Sequence, residues 1–360
     1  SQILGLPVSV PMLDIHTVGA GGGSLAGFDA GGALTVGPAS AGADPGPICY
    51  GRGTLPTVTD ANLILGRLDP EGLLGGGFKL DLERTRGYMA QAKGRLASVE
   101  TFADGICRLA EATMEKALRV ISVERGFDPR EFTLVSFGGA GPLHACALAE
   151  GLEIPRVLVP RMPGALSALG ILCSDLVKDY SRTVMESVKD GSGHSLAAVF
   201  AQLEALGRRE MAAEGLRARS RRSMDIRYSG QGFELEVEAG AGFAERFHQL
   251  HQQRYGYADR ARPLEVVNVR VRMTAPASQL SFTRQRSRSG DARQALKDRR
   301  SVWQDGKRKK AGVYDRGLLR AGDRFAGPAV INEYSATTFV PPKWRCEVDG
   351  FLNLILEPAR

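Results

Sequence analysis

Hydrophobic and β-branched residues fill the uncharged stretch Phe132-Thr-Leu-Val-Ser-Phe137, which is typical of a buried strand. Gly138, Gly139, Ala140, Gly141 and a proline follow at once, and the next apolar run predicts a helix from Leu143 to about Leu152. Such a turn exposes backbone N–H groups, and a helix N-terminus attracts negative groups. The turn is therefore either a ligand site or a tight β–α connection in an ordinary core, and its spacing matches neither common phosphate-binding glycine signature.

The hydrophobic pattern predicts further helices and strands on both sides of this turn. Apolar positions at helical spacing, or long runs without helix breakers, predict helices at residues 81–97, 101–126, 194–219 and 243–257. Short apolar or alternating runs predict strands at 156–160 and 264–273, a hairpin at 225–237 and short strands beyond 328. Two successive strand–helix repeats favour an α/β sheet around the turn.

A polar, basic segment at residues 277–310 interrupts this pattern and predicts a linker. It divides the chain into a first domain at 1–183, an α+β domain at 184–276, the linker, and a β-rich end at 311–360. Nucleic-acid binding would call for stacking rings among the basic residues, and Trp303 is the only aromatic residue from Arg284 to Lys310. The sequence therefore predicts a solvated surface segment and no nucleic-acid partner.

The composition is typical of a globular protein without a membrane span or disulfide bonds. An apolar fraction of 43% suffices for a sizeable core, and no run of about 18 apolar residues predicts a membrane span. The five cysteines are scattered without C-x-x-C spacing, which favours reduced thiols and a cytoplasmic protein. The chain begins without Met or a signal-peptide pattern, so we expect it to start within something larger.

Polar candidates accompany a glycine run near the start of the chain. Asp14 and His16 alternate with apolar residues and would share one face of a strand, directly before Gly21-Gly22-Gly23. They are either site residues or a satisfied polar pair within a sheet. Asp60 opens a short amphipathic helix, and a capping role alone would explain it.

Several segments, in the same order, resemble the hydantoinase A/5-oxoprolinase family, to which the acetone and acetophenone carboxylase subunits also belong. They include Asp14-Ile-His-Thr-Val-Gly-Ala-Gly-Gly-Gly-Ser24 and Gly138-Gly-Ala-Gly-Pro-Leu-His-Ala145. The other matching segments are residues 42–51, 59–63, 163–170, 227–235, 255–257 and 327–338. Together they run through nearly the whole chain.

This resemblance implies half of an actin-like ATPase core (the sugar-kinase, Hsp70 and actin architecture), followed by an α+β C-terminal domain with a small β appendage. Family members use ATP, which Mg²⁺ accompanies, to activate a carbonyl oxygen. Cyclic amides are then hydrolysed, or ketones are carboxylated.

The resemblance also implies roles for individual residues. The turn residues Gly138, Gly139, Ala140 and Gly141 would bind the cofactor, against its adenosine. The catalytic candidates are Asp14, His16 and Asp60, with His16 polarising or deprotonating the activated group. The substrate-side loop would consist of Gly21, Gly22, Gly23, Ser24 and Asp44, and no metal ligand is assigned.

One departure from the family limits these expectations. The family's phosphate-binding glycine and aspartate motifs lie in an N-terminal half, and no Asp-x-Gly-Gly-Thr occurs here. We expect that half to come from elsewhere, a hydantoinase B-like subunit to be a further partner, and the isolated chain to be inactive. The favoured interpretation is part of an ATP-dependent hydrolase of hydantoin or 5-oxoproline rings. The alternatives are a subunit of a ketone carboxylase and a non-catalytic remnant.

Overall fold

The computed structural model describes residues 15–71, 74–188, 193–277, 280–287 and 290–359, together with the backbone of two short strands before them. The predicted site residue Asp14 lies outside these ranges. The helices are α1 Val58–Ile64, α2 Leu82–Ala92, α3 Val99–Ile121, α4 Gly141–Gly151, α5 Leu166–Leu172, α6 Gly193–Ala213 and α7 Phe243–Tyr255. The first strands are β1 Gln2–Ile3, β2 Leu6–Pro7, β3 Ser24–Phe28, β4 Leu34–Ser40, β5 Thr133–Val135, β6 Arg156–Val159, β7 Leu176–Ser187, β8 Arg219–Tyr228 and β9 Leu235–Glu238. The remaining strands are β10 Leu264–Ala275, β11 Leu296–Gln304, β12 Lys307–Asp315, β13 Arg324–Ala326, β14 Ala329–Glu333, β15 Ala336–Val340, β16 Trp344–Val348 and β17 Leu354–Pro358.

These elements form a mixed α/β structure that divides into two compact units. The first unit combines residues 1–168 with 282–360, and the second consists of residues 169–281. Within the described ranges, no helix is both long enough and apolar enough to cross a membrane.

The first unit contains a five-stranded sheet in the order β13-β16-β17-β6-β5 and a four-stranded sheet in the order β11-β12-β14-β15. Each sheet has one parallel pair, β5 with β6 and β12 with β14. The helix α4 packs on β15 and β6. Its buried residues Ala145, Cys146 and Ala149 join a core that includes Trp344 and Leu356.

The strand β5 differs from its prediction as a buried strand. It is the edge strand of its sheet, and Val135 and Phe137 are each 49% exposed. A run of apolar residues predicts a strand, but it does not reveal whether a neighbouring element covers that strand.

The helices α1 and α3 begin where local side-chain hydrogen bonds satisfy free N–H groups of the first turn. Thr57 and Asp60 form a capping box at the start of α1, and the Ser98 side chain accepts a bond from the Thr101 N–H at the start of α3. The apolar faces of α1 and α3 meet in one core, which includes Phe102 and Ile106. These two helices support the segment on which the candidate site lies.

The second unit is an antiparallel sheet in the order β7-β10-β8-β9 with α6 and α7 packed on it. The predicted hairpin at 225–237 is confirmed as the pairing of β8 with β9. The helix α7 ends at Gly256, whose φ of 81° lies in the left-handed region that glycine tolerates. Tyr228 and Phe247 are fully buried between helix and sheet.

The basic segment at 277–310 differs from the predicted linker. Residues 296–315 form the hairpin of β11 and β12, which belongs to the first unit. Acidic side chains far away in the sequence pair with its arginines: Arg300 Nη2 lies 2.8 Å from Asp69 Oδ2, and Arg308 Nη2 lies 2.9 Å from Glu100 Oε1. These ion pairs attach the hairpin to the rest of the first unit, which its basic composition alone does not predict.

Candidate functional site

The predicted strand–turn–helix is present and leaves a helix N-terminus open. Gly138 has a φ of 84°, and its N–H donates to the Pro163 carbonyl at 2.9 Å. Ala140 stands at the N-cap of α4, where its methyl side chain cannot accept a hydrogen bond, and Pro142 follows in the first turn. The positive end of the helix dipole therefore has no capping side chain at Ala140, an arrangement that favours an anion or an electron-rich group.

The glycine loop faces this turn. The Gly22 carbonyl accepts bonds from the Thr59 N–H at 2.8 Å and from Thr59 Oγ1 at 2.9 Å, which anchor the loop to the start of α1. A Cβ atom added to Gly22 would lie 3.7 Å from Ala140 Cβ. The structure thus brings together the predicted cofactor turn and the predicted substrate-side loop.

Two cavities adjoin this contact, and both include Gly22 and Ala140. We call the first the glycine-loop cavity, of about 470 Å³, and the second the helix cavity, of about 350 Å³. Both volumes fall in the range of small-molecule sites. The glycine-loop cavity is further lined by Gly23, Gly42, Tyr50, Phe78, Gly139, Ser335 and Thr337. The helix cavity is further lined by His16, Gly21, Met114, Leu118, Ile121, Phe137, Gly141, His144 and Leu148.

Of the catalytic candidates, His16 is exposed and lies at the helix cavity beside Gly21 and Gly141. Its position is compatible with the predicted proton transfer, which stays a prediction.

Asp60 occupies a different environment from the one predicted for a catalytic group. It is fully buried, and its carboxylate accepts bonds from the N–H groups of Ile48, Cys49 and Thr57 and from Thr57 Oγ1, at 2.7 to 3.1 Å. Both oxygens are occupied by donors within the protein, and neither cavity includes Asp60. This geometry favours a structural role in holding the loop at Tyr50 against α1.

Ser24, Asp44 and Gly23, the remaining residues of the predicted substrate-side loop, lie in three different environments. Ser24 is buried, and its Oγ accepts a bond from the Gly21 N–H at 3.0 Å, so it shapes the glycine loop from within. Asp44 is exposed, pairs with Arg52 at 3.2 Å, and lines neither cavity. Gly23 lines the glycine-loop cavity, and its role on the substrate side stays a prediction.

Sequence reasoning missed a buried polar network behind the turn. His144, 1% exposed in the first turn of α4, has Nδ1 2.9 Å from Glu111 Oε1 on α3 and Nε2 3.4 Å from Asn62 Nδ2 on α1. Arg67 Nη1 lies 3.9 Å from the same Glu111 oxygen. A histidine within the apolar run of α4 was the available signal, because a buried polar group requires partners.

Sequence reasoning also assigned no role to four residues of the glycine-loop cavity. Tyr50 and Phe78 form an edge-to-face pair with ring centroids 5.1 Å apart, and burial raises the pKa of Tyr50. Ser335 and Thr337 come from the turn and strand after β14, and the Thr337 N–H lies 3.4 Å from the Gly139 carbonyl. Tyr50, Ser335 and Thr337 lie in segments that resemble the family, which was the only sequence signal for them, and Phe78 had no such signal.

The acidic and histidine side chains do not form a metal cluster in the described part of the chain. Within residues 15–359, less the gaps named above, no three His, Cys, Asp or Glu side chains are arranged to hold a metal ion.

Comparison with known proteins assigns both halves of the chain to one protein family. The profile of the hydantoinase/oxoprolinase family matches residues 1–180, and that of the hydantoinase/oxoprolinase C-terminal domain matches residues 183–357. An uncharacterized protein of Methanocaldococcus jannaschii is 40% identical over 98% of this chain and 52% of its own length. The caprolactamase subunit alpha of Pseudomonas jessenii is 35% identical over 100% of this chain and 54% of its own length.

A solved structure of nucleotide-free acetone carboxylase, an enzyme of ATP-dependent acetone carboxylation, is also similar. It has a TM-score of 0.90 and 25% identity, and the match covers 99% of this chain and 54% of that one. The chain therefore spans about half the length of the relatives it matches.

Proposed function

Because the chain belongs to the hydantoinase/oxoprolinase family, we propose that it supplies one wall of the nucleotide cleft of an ATP-dependent enzyme that opens cyclic amides. The observation that carries this proposal is the open N-terminus of α4 at Ala140, facing the glycine loop at Gly22. Two backbone segments that present N–H groups across a cleft suit a ligand with both phosphate and carbonyl oxygens. The ATP-dependent enzymes among its relatives support the cofactor.

The helix cavity suits the nucleoside part of ATP. Its walls are largely apolar, with Met114, Leu118 and Ile121 on α3 and Leu148 on α4, and such walls can contact both faces of a base. The cavity reaches the glycine loop at Gly21, so phosphates directed along the loop would pass the α4 N-terminus. Of the turn residues predicted to contact adenosine, Gly141 lines this cavity, whereas Gly139 lines the glycine-loop cavity.

The glycine-loop cavity suits the substrate ring. Tyr50 and Phe78 provide an aromatic wall, and Ser335 and Thr337 contribute hydroxyl groups able to bond an amide carbonyl or N–H. Bound ATP, accompanied by Mg²⁺, supplies the phosphoryl group that activates the carbonyl oxygen. His16 lines the helix cavity together with Gly22, which both cavities share, and we propose that it accepts or returns a proton there.

A ketone carboxylase is the second candidate for the same cleft. The match to acetone carboxylase over 99% of this chain favours it, whereas the 35% identity to the caprolactamase subunit favours a cyclic amide. Both relatives have further polypeptide beyond the match, so we propose that this chain works with a hydantoinase B-like partner and an additional phosphate-binding half. Turnover of 5-oxoproline, hydantoin or caprolactam by the assembled complex, against bicarbonate-dependent ketone consumption, separates the two reactions.

Calorimetric titration of ATP into the 360-residue chain tests the nucleotide site directly. A Cβ atom on Gly139 would lie 3.1 Å from the carbonyl of Ser335, which belongs to the turn between β14 and β15, so Gly139→Val forces that turn away from the Gly138 turn. Gly87→Val is the matched control, because a Cβ at this exposed position of α2 meets nothing within 4 Å. We expect Gly139→Val to abolish ATP binding and Gly87→Val to preserve it, with both variants folded by circular dichroism.

Two outcomes would overturn the assignment. Equal ATP affinity in Gly139→Val and the unmodified chain would remove the nucleotide from this turn. No binding by the unmodified chain, repeated after addition of the partner polypeptides, would support the non-catalytic alternative.

A further inference from the structure

The carboxyl ends of β6, β12 and β14 lie close together in the first unit, outside the proposed nucleotide cleft. The parallel strands β12 and β14 end together at Asp315 and Glu333, where Asp315 pairs with Asn332. The strand β6 ends at Val159, two residues before Arg161. Ligands of α/β sheets bind preferentially outside the carboxyl ends of strands.

A cavity of about 290 Å³ lies at this convergence, and we call it the arginine cavity. It is lined by Arg161, Met162, Asp315, Arg316, Gly317, Leu319, Glu333, Tyr334, Val348 and Leu352. None of these residues lines the glycine-loop cavity or the helix cavity. Ser335, the next residue after Tyr334, lines the glycine-loop cavity, so a single tight turn separates the two sites.

The guanidinium group of Arg316 is only partly satisfied. Its Nη2 donates to the Leu352 carbonyl at 2.7 Å, whereas its Nη1 is buried without a hydrogen-bond partner in the described part of the chain. Burial also lowers the pKa of Arg316. An interior guanidinium with free N–H groups is costly unless a partner approaches it, and a planar oxyanion matches its geometry.

Glu333 is the charged neighbour of Arg316, yet the two form no close pair. Among the described residues, no hydrogen bond or ion pair within 4.0 Å engages the Glu333 carboxylate. Burial raises the pKa of Glu333 to about 7, against the opposing effect of the Arg316 charge. Near neutral pH this side chain is therefore protonated in a large fraction of molecules and can donate a hydrogen bond.

The other acidic group at the cavity is engaged elsewhere. Asp315 Oδ1 accepts a bond from the Gly317 N–H at 2.9 Å, and Asp315 Oδ2 lies 4.0 Å from Lys297 Nζ. Arg161 is exposed at the rim of the cavity and adds a second positive charge. With Glu333 protonated, the lining has a net positive charge.

We propose that the arginine cavity is a second ligand site, which binds a small oxyanion, a carboxylate or phosphate group, between Arg161 and Arg316 with Glu333 as the third contact. The ligand accepts N–H bonds from the guanidinium groups and one O–H bond from Glu333. Further titratable or charged groups face Glu333 or Arg316 from the neighbouring strands and loops: Asp69, Lys297, Asp298, Arg300, Tyr314, Asp315, Tyr334, Cys346 and Asp349. The site is independent of the proposed ATP cleft, because the two share no lining residue.

The pH dependence of anion binding is the sharpest consequence. An anion beside Glu333 favours its protonated form, so binding takes up a proton, and affinity falls as the pH rises through 7. If only the protonated form binds, affinity decreases about 30-fold between pH 6 and pH 8.5. Sulfate and acetate serve as tetrahedral and planar probes, since both stay ionised throughout this range.

Calorimetric titration of each probe into the 360-residue chain at both pH values provides the test. Glu333→Gln keeps a neutral donor at every pH, so we expect it to bind at pH 6 and to lose the pH dependence. Arg161→Gln removes an exposed charge without disturbing the interior and should weaken binding at least fivefold. Arg324→Gln, at an exposed arginine of β13 paired with Glu347, is the control and should bind like the unmodified chain.

The relative response to the two probes identifies the source of the oxyanion, with preference for acetate indicating a carboxylate and preference for sulfate a phosphate. Equal affinities in Arg161→Gln and Arg324→Gln, pH dependence that survives in Glu333→Gln, or no binding of either probe at pH 6 would each overturn the proposal. ATP titration of the same variants keeps the two sites apart, because these changes should leave nucleotide binding unchanged.

Discussion

His144 Nδ1 lies 2.9 Å from Glu111 Oε1 in the interior of the first unit, and this contact joins the first turn of α4 to α3. The Asn62 amide donates to the Val58 carbonyl at 3.0 Å and lies 3.4 Å from His144 Nε2, so Nε2 is the acceptor and Nδ1 carries the hydrogen. The first turn of α4 is thus connected through His144 to a polar network that spans α1, α3 and α4.

Removing the carboxylate of this network should destabilise the protein. Glu111→Ala leaves the buried His144 N–H without its acceptor, which costs about 2 kcal/mol of the free energy of unfolding. Glu115→Ala, one turn along α3, removes only a partly exposed pair with Arg119 and should cost at most about 0.5 kcal/mol. Urea denaturation of both variants measures the difference, and equal effects would contradict the structural role of the network.

Replacement of Asp60 distinguishes a structural carboxylate from a catalytic one. In Asp60→Asn an amide NH₂ would face backbone N–H or hydroxyl donors, and we expect a loss of about 3 kcal/mol of unfolding free energy. Asp44→Asn, at an exposed surface pair, should change it by less than about 0.5 kcal/mol. The stability of each is read from urea titration. An Asp60→Asn protein as stable as the parent, assembled into an inactive complex, would restore the catalytic interpretation.

The thiols should differ sharply in reactivity. Cys173 is exposed, whereas the other four cysteines are buried. Burial raises the pKa of Cys107 and of Cys346 to about 12, which suppresses their reactive thiolate form. A colorimetric thiol reagent at pH 8 should therefore modify one thiol rapidly in the native protein, and that signal should vanish in Cys173→Ser. Rapid modification of two or more thiols before denaturation would disagree with the buried positions.

An acid-sensitive contribution is expected in the second unit. Hydrogen bonds from Arg222, at 2.7 and 3.0 Å, hold the pKa of Glu204 below its usual range. A carboxylate with a lowered folded-state pKa stabilises the protein above its unfolded-state pKa, and this stabilisation is lost as the pH falls through the folded-state value. The stability difference between the parent and Glu204→Gln should therefore be large at pH 7 and shrink below about pH 4.

Glu245→Gln provides a comparison for the size of the effect at pH 7. Glu245 is a partly exposed residue of α7 paired with Arg260, so its removal should cost less at pH 7 than removal of Glu204. A constant difference between parent and Glu204→Gln from pH 7 to pH 3.5 would contradict the linkage.

Much of the secondary structure was predictable from the sequence, because it rests on local signals. The periodicity of α3 and the glycine after α7 predicted both helices to within a few residues. The hairpin β11–β12 was not predictable, because acidic partners such as Asp69 and Glu100, some two hundred residues earlier, hold its arginines in place. A prediction from neighbouring residues includes the positive charges of this segment but not the distant carboxylates that pair with them.

The candidate site likewise has parts that the sequence could predict and parts that it could not. The turn at Gly138 and the glycine loop at Gly22 were predicted, since backbone turns are encoded locally, and their mutual approach follows from the fold. The arginine cavity could not be predicted, because Arg161, Arg316 and Glu333 meet only where separate strands end. Conversely, a motif match cannot distinguish the interior carboxylate of Asp60 from a group facing a substrate.

The pairing of β17 with β6, in which Leu354 lies opposite Val159, has a consequence for the order of synthesis. The ribosome synthesises β6 before the second unit and β17 after it. The edge of β6 that pairs with β17 therefore stays uncovered while residues 169–281 are translated. The sheet that carries the Gly138 turn can therefore close only after residues 354–356 have been synthesised, and the unpaired edge meanwhile favours aggregation. We therefore expect the edge of β6 that faces β17 to stay unpaired for at least the time that the ribosome takes to synthesise the second unit and the strands up to β17.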